Sequence, residues 1–148
     1  IYYLGSINNK QIKPEFHKDK RLVIPKLFET NTKWEQPTTT KLLKKTGPPQ
    51  KTVFEIFANV NMEARIESLD EEVVVPAGRF KNCLKIRMSG SSFKDAGNYI
   101  GLTLVNVEEN SWYARGVGLI KMERIETTKS DALDKGTLLI ELADFETD

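Results

Sequence analysis

The feature that most constrains this chain is the alternation of apolar and polar residues with a period of two. Leu84, Ile86 and Met88 alternate with Lys85, Arg87 and Ser89, and the same pattern returns at Ile100, Leu102, Leu104 and at Leu138, Ile140, Leu142. Successive side chains of a strand point to opposite faces, so this spacing predicts half-buried β-strands. Val53 to Leu69 reads as a long strand or strand pair, because Ala64 and Ile66 alternate with Arg65 and Glu67. A turn or bulge is expected at Ser68-Leu69-Asp70-Glu71 before Glu72-Val73-Val74-Val75 resumes. Pro76-Ala77-Gly78-Arg79-Phe80 then reads as a tight connection or one helical turn.

Helix signals are poor. Residues 130–135 predict one helical turn, capped by Ser130 and ended by Gly136. Lys41 to Lys45 predict another, stopped by Gly47-Pro48-Pro49. The polar tracts Asn31–Thr40 and Ser89–Asn98 read as loops. Several strands are apolar on both faces, at Leu104-Val105, Leu119-Ile120 and Leu138-Leu139. A sheet with one wet face does not need this: either both faces are covered or the sheet curls so that one face lines an interior, and a strongly curled sheet fits better than a flat one. The expected architecture is one all-β domain over 1–148, an antiparallel meander of about seven to nine strands. It is expected to be curled into a half-barrel, with one or two short helices.

Composition supports a packed domain: 148 residues, 39% hydrophobic and 29% charged, are enough for a real core. No apolar run approaches the roughly 20 residues of a membrane-spanning helix, so no transmembrane segment is expected. The chain opens on Ile1-Tyr2-Tyr3-Leu4-Gly5-Ser6, which reads as a strand already under way, with no basic leader or cleavage site. Two explanations stand, a processed mature protein or a piece of a longer chain. Residues 1–51 hold 11 Lys+Arg against 4 Asp+Glu, and residues 52–148 hold 11 against 17, so +7 and −6 sum to +1. Either a basic surface meets an anionic headgroup or partner, or the two segments lie side by side and neutralise one another.

The residues that carry chemistry are sparse. His17 is the only histidine and Cys83 the only cysteine, too few for a zinc site, and no disulfide can form within the chain. Cys83 sits at a core-like strand start, where a buried and inert thiol is expected. No calcium loop and no phosphate loop is present, because Gly97-Asn98-Tyr99-Ile100-Gly101 lacks a lysine and the strand-to-helix setting. Asp70-Glu71-Glu72 reads as a solvated hairpin tip. Glu108-Glu109 is the nearest approach to a carboxylate pair, and reads as a strand end with its turn at Asn110-Ser111. No basic aromatic face for nucleic acid is seen, and Lys41, Lys44 and Lys45 read as a solvated patch. The chain is therefore expected to be no enzyme and to carry no cofactor and no metal.

Two segments resemble one known group of sequences. Glu72-Val73-Val74-Val75-Pro76-Ala77-Gly78-Arg79-Phe80-Lys81-Asn82-Cys83-Leu84-Lys85-Ile86 is similar to a V-x-V-P-A-G-x-F-x-x-C/A-L-x-V segment. Trp112-Tyr113-Ala114-Arg115-Gly116-Val117-Gly118-Leu119-Ile120-Lys121 is similar to W-Y-A-x-G-V-G-L-V-K. In this order and spacing they resemble uncharacterised bacterial exported proteins and lipoproteins. Leu22-Val23-Ile24-Pro25 with Lys33-Trp34 resembles an earlier stretch of those domains, with Asn31-Thr32 standing where they carry glycine. The resemblance implies a carrier-like half-barrel residing outside the cytoplasm, in the periplasm or at the cell surface, where a lipid anchor upstream is compatible with it. It implies no activity and no catalytic residues.

Trp112, Ala114, Gly116 and Gly118 are expected on one strand face, where glycines let a ring, a backbone or a ligand approach. With Trp34 they form the candidate lining of an apolar site for a lipid or small molecule. The plainer reading is that Trp112 or Trp34 fills that space itself. A second functional reading is an envelope interaction module that binds another protein by an edge strand or a convex face.

Overall fold

A computed structural model describes residues 2–6, 13, 15–47, 52–97, 100–133 and 135–146, without the side chains of 2–6, 15–21 and 52. The chain is all-β. Two short antiparallel pairs, β1 (Tyr2–Ser6) with β2 (Glu15–Leu22) and β4 (Lys44–Gly47) with β5 (Thr52–Glu55), accompany one six-stranded sheet. That sheet contains β3 (Lys33–Thr39), β6 (Asn59–Val75), β7 (Gly78–Asp95), β8 (Leu102–Ala114), β9 (Gly118–Thr128) and β10 (Gly136–Glu141). Its order is β10-β9-β8-β7-β6-β3, antiparallel throughout and not closed into a barrel.

Strands β6 and β7 follow the alternation read from the sequence, whereas in β8 the buried face is Thr103, Val105 and Val107 and Leu102 is exposed, and in β10 Leu138 and Ile140 are exposed. In β6, Val60, Met62, Ala64 and Ile66 are buried and their neighbours Asn61, Glu63 and Asn59 are exposed. The expected irregularity after Ile66 is present, as register shifts at Ser68 and Glu71 in the pairing of β6 with β7. Pro76-Ala77 make the two-residue connection, with Val75 opposite Gly78.

Several expectations are corrected. The tract 31–40 is mostly strand β3, paired with β6 from Lys33↔Arg65 to Thr39↔Asn59, and β7 continues through 89–95 against β8. Polar residues hid both strands, because one sits at a sheet edge and the other has a largely exposed end. Asp70-Glu71-Glu72 lies within β6 rather than at a hairpin tip. Asn110-Ser111 is no turn either, since β8 runs through it. Among the described residues there is no helix: 41–43 has no regular secondary structure, 44–47 is strand β4, and Asp131–Ala132 is an isolated turn. Tertiary partners overrode weak local preference in each case. Pro48-Pro49, Asn98-Tyr99 and Asp134, which figured in those readings, lie outside the described residues.

The sheet curls strongly. Met62 neighbours Gly90 where β6 and β7 part company, and a side chain at Gly90 would stand 2.6 Å from Asn61 O and 2.9 Å from Val60 Cγ1. Only a residue without a Cβ allows that approach. The inner face packs Ile66, Ile86, Met88, Val105 and Val107 against Leu43, Ile56 and Leu133 from outside the sheet. A second, smaller core lies on the outer face at the β8–β9 end, with Val73, Val75, Cys83, Trp112 and Ile120. Cys83 and Leu84 are thus neighbours buried on opposite faces, which accounts for apolar residues on both sides of these strands.

Candidate functional site

The inner face is largely filled by the protein's own side chains, but one end stays open. There the chain from Val23 to Thr32 folds over the sheet and is tied to β6 by backbone bonds, Asn31 N–H to Ile66 O at 2.9 Å and Ile66 N–H to Thr32 O at 3.1 Å. Asn31 adopts φ 72°, a left-handed conformation that asparagine tolerates better than most residues. The turn is closed by Glu29 N–H donating to Thr32 Oγ1 at 3.0 Å.

Between this segment, the bulged stretch of β6 and the β8–β9 hairpin lies a cleft of about 720 Å³. Ile24, Phe28, Leu69, Leu84, Tyr113 and Val117 supply its apolar wall, and Asn82 and Arg115 supply polar groups. Phe28 and Leu69 are 45% and 39% exposed, a large fraction for apolar side chains facing a concavity. Among the described residues no Asp or Glu lines the cleft. Its size falls in the range of small-molecule sites, roughly 300–1,000 Å³.

The five residues singled out from the sequence are divided by the structure. Ala114, Gly116 and Gly118 line the cleft together. Gly116 is not on a strand face, however: Arg115–Val117 form the hairpin turn, Ala114 pairs with Gly118, and Gly116 takes φ 79°. A left-handed residue in a three-residue hairpin loop is the reason for glycine there. Trp112 points away from the cleft into the outer core, with the Lys85 and Lys121 ammonium groups 5.5 and 5.3 Å from its ring centre. Trp34 packs at the edge of the inner core and lines a separate polar groove with Lys33, Asn61 and Ser91. Sequence reasoning missed Phe28, Leu69 and Arg115, because they meet only through the fold of the Val23–Thr32 segment and the bulges of β6.

At the other end of the inner face the charged residues are sequestered. Arg124 donates from Nε to Glu126 Oε1 at 2.8 Å and from Nη1 to Glu109 Oε2 at 2.9 Å. Glu126, fully buried, also accepts Lys41 N–H at 3.0 Å and Leu42 N–H at 2.8 Å. The sequence pointed to Glu108-Glu109 as the carboxylate pair; alternation in β8 sends them to opposite faces, and Glu109 instead approaches Glu126 through Arg124. A carboxylate held this way serves the fold.

Cys83 is fully buried, and burial, with a smaller contribution from the Glu71 charge, pushes its thiol pKa up. That keeps it in the unreactive thiol form at neutral pH. His17 lies in β2, and its side chain is outside the described residues. Among the described residues no three His, Cys, Asp or Glu side chains converge to hold a metal ion, and no helix is long and apolar enough to cross a membrane. Lys33 and Glu63, 2.9 Å apart, join the basic N-terminal third to the acidic remainder across β3 and β6. Compared with known protein families, with curated proteins and with solved structures, the chain finds no match.

Proposed function

We propose that this chain is a non-enzymatic binding domain of the bacterial envelope that holds a lipid or small apolar molecule in the cleft at the β8–β9 end. The observation that carries the reading is the open apolar cleft with Phe28 and Leu69 exposed in its wall. Apolar burial is a sufficient driving force, since each methylene removed from water contributes about 0.8 kcal/mol. Export to the envelope rests on the resemblance of segments 72–86 and 112–121 to exported bacterial proteins.

Titration with the neutral fluorophore Nile red tests the binding step, with native mass spectrometry of protein from its own host to identify a natural occupant. Saturable binding is expected, weakened about ten-fold in a Phe28→Ser/Leu69→Asn double variant. Failure to bind, or affinity untouched by the double variant, would sink the reading.

One observation favours a second reading, an interaction module. β10 is an edge strand, and its Leu138, Leu139 and Ile140 are exposed, Leu139 by 57%. Unpaired, uncharged edges recruit further strands. Sedimentation that reports a dimer, lost in Leu139→Lys, would favour this reading over the first.

A further inference from the structure

We propose that the cleft selects a single-chain amphiphile with a carboxylate head, and that Arg115 is the residue that recognises the head. The inference rests on the apolar-ligand reading and adds the ligand's charge. Arg115 opens the β8–β9 turn and is the one charged group among the described lining residues. It is exposed, and among the described residues no acidic side chain pairs with it. By contrast Arg65, Arg79, Arg87 and Arg124 each have a carboxylate partner.

An arginine that no acid among the described residues pairs with, at an apolar cleft, selects by sign. A cationic head meets repulsion with nothing to offset it, and a neutral head gains little. A carboxylate matches the fork of the guanidinium with two parallel hydrogen bonds. Asn82, the other polar lining group with side-chain N–H donors, adopts φ 53° on β7 beside the cleft. One cation suits one negative charge, which favours a monocarboxylate over a headgroup carrying several.

The test is calorimetric titration of the full chain with laurate, lauryl alcohol and laurylamine, all below their micelle-forming concentrations. Laurate is expected to bind about ten- to a hundred-fold more tightly than the alcohol, the size of a hydrogen-bonded charge contact, with the amine weakest. Arg115→Gln is expected to abolish that preference, with laurate falling to the affinity of the alcohol for the same variant; the residue is exposed, so the fold is retained. Equal binding of laurate and alcohol, or a preference that survives Arg115→Gln, overturns the assignment of the head and leaves the apolar cleft standing. Absence of binding by all three amphiphiles overturns both.

Discussion

Arg124 on β9 donates a hydrogen bond of 3.1 Å to Thr38 Oγ1 on β3, although β8, β7 and β6 lie between those strands in the sheet. A second bond, to Thr39 O at 3.3 Å, continues the contact. The sheet therefore curls far enough for opposite sides to touch, and side chains rather than a strand ladder hold them together. The backbone of 38–42 would otherwise carry unpaired groups over the sheet; Arg124 and Glu126 satisfy them. Leu42 crosses directly over Gly136, whose missing side chain leaves room for the Leu42 carbonyl.

Removing the arginine strands two carboxylates in the interior. Arg124→Met is expected to cost about 3–5 kcal/mol, the usual penalty for breaking a buried ion pair from one side. Adding Glu109→Met should recover part of the loss, because one unpaired charge is then gone. Urea denaturation measures both. A loss below about 1 kcal/mol for Arg124→Met would mean that this contact does not hold the curl.

Curvature depends equally on Gly90. An added methyl would lie 2.6 Å from Asn61 O and 3.0 Å from Met62 Cα, both backbone atoms that cannot swing aside. Gly90→Ala is expected to destabilise by about 1–3 kcal/mol, in the range of overpacked cores. Unchanged thermal unfolding would show that β6 and β7 separate more widely here.

On the outer face, Glu67 pairs with Lys85 at 2.6 Å, flanked by Arg65 and Arg87. The hydrogen bond from Lys85 is the largest influence and lowers the Glu67 pKa, with burial opposing it. A lowered folded-state value means that this contribution is present above the ordinary glutamate pKa of about 4.3. It fades as pH falls through the lower folded value. Wild type should thus lose more stability than Glu67→Gln on acidification through that window, and parallel pH profiles would refute the assignment.

Trp112 faces the outer core, so it should matter to stability and not to the ligand. Trp112→Leu is expected to cost about 1–3 kcal/mol through lost ring packing and its two ammonium contacts. Nile red affinity should stay within about two-fold of wild type. A much larger loss of affinity in the folded variant would place the indole at the ligand after all.

The alternation at 84–89 and at Ala64–Glu67 determined by itself that the chain forms half-buried strands there, and Pro76-Ala77-Gly78 marked where β6 turns into β7. The alternation read at Ile100, Leu102 and Leu104 found a strand but not its buried face, which is Thr103, Val105 and Val107. These signals are local, because strand periodicity and turn chemistry act over neighbouring residues. Ala114, Gly116 and Gly118 were legible as a group for the same reason, since they belong to one hairpin. Which face Trp112 occupies was not legible. Alternation in β8 sets it on the face opposite Val107 and Tyr113, but which of the two faces holds the cleft is decided by the Val23–Thr32 segment folding over one of them. Tertiary structure alone decided that Glu126 caps the backbone of Lys41 and Leu42, residues 85 and 84 positions away. It likewise brought Phe28, Leu69 and Arg115 around one cleft. The curl of the sheet sets such distances, and curl accumulates over all six strands.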